Sequence, residues 1–175
     1  MPFTPLHFGP GFALKSVSGR WFSVTVFCLA QGLIDLEPGW YMLAGDDYIH
    51  RFLHTYLGAT LAGLAAAAAR PACEFALRIW NSWLSPAQAR WLGVPTRISW
   101  TAALSGGLLG GWSHVLLDSV MHADMRPLAP WDERNALLFA LHVDTLYLGC
   151  ALAGVFGVGL LLLQRARKCH ASGPE

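Results

Sequence analysis

Four long apolar runs, separated by short polar stretches, set the pattern of this chain. Residues 21–42 begin uncharged and acquire Asp35 and Glu37 toward their far end, before a polar loop at 45–47. Residues 51–70 are apolar apart from His54 and rich in alanine and glycine, until Arg70 and Pro71 end the run. Residues 98–118 carry two glycine pairs, and residues 136–163 are interrupted early by His142 and Asp144. Each run has about the 20 residues that a transmembrane helix needs. None alternates with the period of two expected of a barrel strand. The predicted fold is therefore all-α: a polytopic membrane bundle of about four spans in one domain, 1–175. A short helix near 10–16 precedes the first span. Residues 72–97, basic and rich in tryptophan, predict a helix lying in the membrane interface, with a surface loop as the plainer reading. Small residues in the second span predict close helix packing.

Composition strengthens this picture. Hydrophobic residues make up 54% and charged residues 13%, against roughly 45–50% and about 25% in soluble domains. So few charges leave too little polar surface to cover a soluble globule. The four cysteines show no CxxC or zinc-ribbon spacing, so neither a disulfide framework nor a thiolate site is expected. The first seven residues lack the basic region of a secretory signal, so insertion is expected to rely on the internal segments.

Charge assigns a topology. Four spans gather the Lys15–Arg20 turn, the 70–97 segment and the C-terminal tail on one side, with nine of the twelve basic residues. The positive-inside rule places that side, N-terminal turn and tail included, in the cytoplasm. Ionisable groups then collect at the outer end of every span: Asp35 and Glu37, His50 and His54, His114 and Asp118, His142 and Asp144. Such groups beside a membrane helix are costly and mark sites.

The stretch from Gly111 to Pro127 is the most informative. His114, Asp118 and His122 recur every four residues, which stacks them on one helical face. His50 and His54 repeat the spacing. Imidazole and carboxylate ligands without cysteine suit zinc first, with manganese or iron(II) as alternatives. Asp35 is a candidate bridging carboxylate, and His7 joins the set if the N-terminal helix folds back toward Asp35. A catalytic metal lowers the pKa of bound water toward about 7. Glu37 or Asp124 would serve as general base or orient the water, and Arg126 would neutralise an anionic group. Singly, each element has a plainer reading: a lone histidine packs, Asp118 pairs with Arg126, His142 pairs inertly with Asp144. As a set they point to a metal.

The ordered set Thr4 to His7, Ile34-Asp-Leu-Glu-Pro38, His50-Arg-Phe-Leu-His-Thr55 and Gly111-Trp-Ser-His-Val-Leu-Leu-Asp118, followed by His122, Pro127 and Pro130, resembles the membrane-bound metal-dependent hydrolases. That family includes a LexA-regulated inner-membrane member, and its core is similar to zinc-dependent phospholipase C. The resemblance covers most of the chain outside 72–97 and the tail. It implies ligand roles for His7, Asp35, His50, His54, His114 and Asp118, and a bacterial inner membrane. Two departures stand out. Glu37 replaces the family's second aspartate and Pro38 a histidine, and the His50–His54 spacing is one residue short.

Three functions compete at this stage. The first is a membrane-embedded hydrolase acting on phosphoesters or lipid-like substrates. The second is a non-enzymatic metal-binding or transporting protein, whose ligands would spread through the depth of the bundle. The third is a structural protein with histidine–aspartate pairs as polar glue between helices. The lipid bilayer is the expected partner, and nucleic acid is not predicted as one.

Overall fold

The computed structural model describes residues 5–171. Among them the chain is all-helical, with seven α-helices and no strand. These are α1 (Gly9–Ser18), α2 (Val24–Ala44), α3 (Tyr56–Ala68), α4 (Arg70–Ser82), α5 (Pro86–Leu92), α6 (Trp100–Met121) and α7 (Val143–Ala171). Local chemistry marks the starts: Ser23, Thr55 and Ser99 accept hydrogen bonds from Val26, Gly58 and Ala102 N–H, and Ser85 with Gln88 forms a capping box. Gly45 closes α2 in the left-handed conformation, at φ 79°.

Helices α2, α3 and α6 pack on one another as the core. Val26, Phe27, Ala30, Ile34, Ala59, Ala66, Ala103 and Val115 are fully enclosed among them. The glycine pairs of α6 explain how close these helices come. Gly107 and Gly111 lie against the backbone of Gly63 and Ala59 on α3, while Gly106 and Gly110 lie against Ser23 and Phe27 on α2. One helix thus presents two faces of small residues four apart, and any Cβ there would strike backbone. Helix α7 packs on α1 and the 3₁₀ turn before it rather than on the core.

One helix, Val143–Cys169, is long and apolar enough to cross a membrane, and 11% of its most apolar stretch is buried. Helices α2 and α6, of 21 and 22 residues, have comparable length but are less apolar, because they carry Gln31, Asp35, Glu37, His114 and Asp118. The other predicted boundaries shift. The 51–70 run becomes a 13-residue α3, about 20 Å long, because its first residues are drawn into a loop with a 3₁₀ turn at Phe52–His54. The 136–163 run becomes helical only from Val143. Residues 136–142 instead form turns tied back to α6, where Asn135 donates to the Ser119 and His122 carbonyls and Phe139 N–H to Val120. Residues 72–97 form the rest of α4, then α5, with Trp80, Trp83 and Trp91 exposed.

Candidate metal centre

The core helices bring their polar residues to one end. Asp35 comes from the second half of α2, and His114 and Asp118 from the last two turns of α6. Their spacing of four on α6 sets both side chains on the face that meets α2 and α3, as periodicity predicts. His50 and His54 arrive differently. They are not four apart on a helix: His50 is in irregular chain and His54 closes the 3₁₀ turn. Carboxylates hold this segment instead. Glu37 accepts from Arg51 N–H at 3.1 Å and from Leu53 N–H at 3.0 Å, and Asp124 accepts from Ile49 and His50 N–H, each at 3.2 Å.

Ligating atoms of Asp35, His54, His114 and Asp118 all lie within 4.8 Å of one another. His114 Nε2 is 3.1 Å from Asp118 and 3.4 Å from Asp35, and His54 Nε2 is 3.5 Å from Asp118. Despite these distances, His54 Nε2, His114 Nε2 and Asp35 Oδ1 are buried without a hydrogen-bond partner. Buried polar atoms are nearly always satisfied, so three orphans facing one point call for a ligand of their own. Two imidazoles and two carboxylates, with no thiolate, suit a divalent cation. His7 Nε2, also buried and unpartnered, stands 3.6 Å from Asp118. Its 3₁₀ turn folds back beside α6 as expected, although Thr4, the other residue of that motif, lies outside the described residues.

A second group forms from His50, Asp118 and His122, again with ligating atoms within 4.8 Å. Asp118, not Asp35, is therefore the carboxylate shared by both groups. His122 caps α6 with extended backbone rather than adding another helical turn, yet its ring lies 4.3 Å from that of His50. The imidazoles run in one file, His7–His114–His54–His50–His122, with successive centroids 4.3–5.3 Å apart.

Glu37 and Asp124 have a different place from the catalytic one expected of them. Glu37 receives His54 Nδ1 at 3.2 Å and Asp124 receives His50 Nδ1 at 2.8 Å. A carboxylate only accepts, so each Nδ1 carries a proton, and in the neutral ring each Nε2 keeps its lone pair for a ligand. Burial pushes the Asp124 carboxyl up, but the hydrogen bonds from His50 outweigh it and leave the pKa lowered. Burial, aided by the nearby histidines, lowers His50 and His122 despite the opposing aspartates. Neutral imidazole, the ligating form, is favoured at both.

Other candidates do not join. Arg126 is an exposed residue paired with Glu133 at 3.0 Å, not with Asp118. His142 and Asp144 pair with each other at 3.5 Å, 78% and 88% exposed, so the fourth long helix contributes nothing to the cluster. Arg51 stacks over Tyr41 and bonds Asp46. Sequence reasoning missed Gln31, which donates to the His7 carbonyl at 3.2 Å and fixes that turn on α2. The available signal was its position four residues before Asp35 in an otherwise apolar run.

No family model, curated protein or solved structure matches the chain.

Proposed function

We propose that this chain is a four-span membrane protein whose histidine–aspartate cluster binds a divalent metal, zinc foremost, and hydrolyses a phosphoester or lipid-like substrate at the outer face of a bacterial inner membrane. The observation that carries the reading is the convergence of His54 Nε2, His114 Nε2 and Asp35 Oδ1, buried and unbonded, around Asp118. A divalent ion bound there would supply Lewis acidity to an ester or phosphoryl oxygen. The chain's own residues do the rest. Glu37 and Asp124 fix the tautomers of His54 and His50. The 45–55 and 122–135 segments are joined by the Ile49 and His50 N–H bonds to Asp124, and the Tyr56 N–H bond to Pro127 at 2.9 Å ties the latter to the start of α3. Arg126, on the segment that carries Asp124, would exchange Glu133 for an anionic group of the substrate.

Two observations support the membrane setting. Helix α7 exposes Leu148, Leu152, Val155, Phe156 and Leu163. All eight tryptophans are exposed too: Trp21, Trp80, Trp83, Trp91 and Trp100 surround the basic end, Trp40 and Trp131 lie toward the histidine end, and Trp112 lies on α6 two residues before His114. Tryptophan is highly buried on average in soluble proteins but collects at both faces of a bilayer. Ligands gathered at one end, rather than through the depth of the bundle, favour hydrolysis over transport.

The test is metal analysis of the purified protein beside His114→Ala and Asp118→Ala, followed by hydrolysis assays on phosphodiester and phospholipid substrates. Wild type without stoichiometric metal refutes the reading. Metal without turnover on any of these substrates leaves a metal-binding or transport protein.

A further inference from the structure

The end of the bundle away from the histidines holds a cavity of about 430 Å³ between α1, the starts of α2 and α6, and the last turns of α7. Ser23 on its wall and Asp35 in the metal cluster are twelve residues apart along α2, about 18 Å. The cavity wall carries Lys15, Arg20, Arg97 and Arg165 and not one acidic side chain. Two of these cations are already occupied by the protein: Lys15 donates to the carbonyls of Gly19 and Phe22, at 2.8 Å each, and Arg165 to that of Gly93. Arg20 only lies over Trp21, its guanidinium 4.9 Å from the ring. Arg97 is exposed and has no hydrogen bond or ion pair among the described residues, which leaves its guanidinium free for a ligand of the cavity it lines.

A second cavity, of about 540 Å³, runs between α1 and α7 and has no charged side chain in its wall. Phe12, Val158 and Leu162 belong to both walls, so the two cavities adjoin. A cationic chamber beside an uncharged hydrocarbon groove is complementary to an amphiphile with an anionic head and an acyl tail.

We propose that this is a binding site for an anionic phospholipid, its phosphate held by Arg20 and Arg97 and one acyl chain lying along Phe12, Val158 and Leu162. Basic pockets between helices on the cytoplasmic side of membrane proteins take such headgroups. The site is independent of the metal cluster and rests only on the membrane setting proposed above.

The test uses the full chain in neutral detergent. Thermal protection is titrated with short-chain phosphatidylglycerol, phosphatidylcholine or inorganic phosphate, in wild type and in an Arg20→Gln/Arg97→Gln double variant. The expected result is saturable protection by phosphatidylglycerol alone, weakened about 25-fold in the variant, at roughly fivefold per charge. Metal content should not change. Equal protection by phosphatidylcholine, protection by phosphate alone, or unchanged preference in the variant overturns the proposal. If the variant does not fold, lipid co-purifying with wild type decides: anionic phospholipid enriched over the source membrane supports the site, and bulk composition overturns it. Flotation of wild type with phosphatidylcholine vesicles reports separately on the membrane setting.

Discussion

Replacing Glu37 separates two roles that its sequence position leaves open. As a general base, Glu37 would act on the reacting water, and Glu37→Gln would abolish turnover without touching metal content. The geometry assigns it to positioning instead. One oxygen receives Arg51 N–H, Leu53 N–H and His54 Nδ1, at 3.1, 3.0 and 3.2 Å. Glu37→Ala strips all three donors of their acceptor. Each bond to a charged group is worth about 1.5–3 kcal/mol, and water reaching this half-buried loop recovers part of that. A net cost of about 3 kcal/mol follows, which for a chain of 175 residues lowers the thermal midpoint by about 6–12 °C. Freed of Glu37, His54 loses its tautomer and ring orientation, and metal affinity should fall about 10–100-fold. Glu37→Gln keeps one oxygen for the same donors and should sit near the lower end of that range. The assay is isothermal titration of the metal-stripped protein with zinc, paired with turnover at saturating zinc. A positioning residue predicts weakened binding and recovery of most activity with excess metal. Unaltered zinc affinity combined with lost turnover would refute the argument and restore the general-base role.

Further expectations follow from particular contacts. Gly107→Val places side-chain atoms on the Gly63 backbone and should cost about 1–3 kcal/mol or more, whereas Gly32→Ala, with open space around its Cβ, should stabilise by up to about 1 kcal/mol; thermal midpoints in detergent compare them. Brominated lipids in nanodiscs should quench most tryptophan fluorescence, because all eight rings are exposed; strong quenching by aqueous iodide instead would contradict a bilayer around the molecule. Chelation should lower the thermal midpoint, since a metal at 100 times its Kd contributes about 2.7 kcal/mol to the folded state, and His114→Ala should abolish that response. His142→Ala should leave metal content unchanged, as His142 pairs only with Asp144 at the surface.

Periodicity sets His114 and Asp118 on one face because both sit on one uninterrupted helix, where spacing alone fixes direction. His50 reaches the cluster by a different route. The spacing of His50 and His54 fits a helix, but Glu37 and Asp124 hold that segment out of helix by accepting hydrogen bonds from its backbone N–H groups across a long stretch of sequence. The helix start is delayed to Tyr56 in consequence. Long-range hydrogen bonds leave no periodic trace. The same limit explains the 136–142 stretch: it is apolar enough to extend a span, yet Asn135 and Phe139 anchor it to the end of α6. His142 and Asp144 stay outside because α7 packs on α1 and not on the core, a choice made by the backbone contacts of Gly9 with Cys150 and Gly157 with Phe12. Hydropathy found all the apolar runs but not which of them would be neighbours.

The four carboxylates around the file of imidazoles divide into two kinds, and the division is physical. Glu37 and Asp124 are saturated by backbone N–H donors and spend their remaining capacity on a histidine Nδ1. Asp35 and Asp118 receive no side-chain hydrogen bond from the backbone among the described residues, and each faces an Nε2 at 3.1–3.6 Å. Both kinds sit in the same cluster, so burial alone does not separate them. What separates them is location: Asp35 and Asp118 project from helix interiors, where the backbone N–H groups are already used, while Glu37 and Asp124 abut an irregular loop with free donors. Negative charge without backbone partners, enclosed by a helical core, is stable only beside positive charge. Lysine and arginine are absent from that position, so the compensating charge comes from protonated imidazoles or from a cation. With a cation bound, Glu37 and Asp124 hold the one proton of the neutral His54 and His50 rings on Nδ1, which leaves each Nε2 bare and facing inward. Fixing the rings as acceptors makes sense for a site that takes its positive charge from a metal.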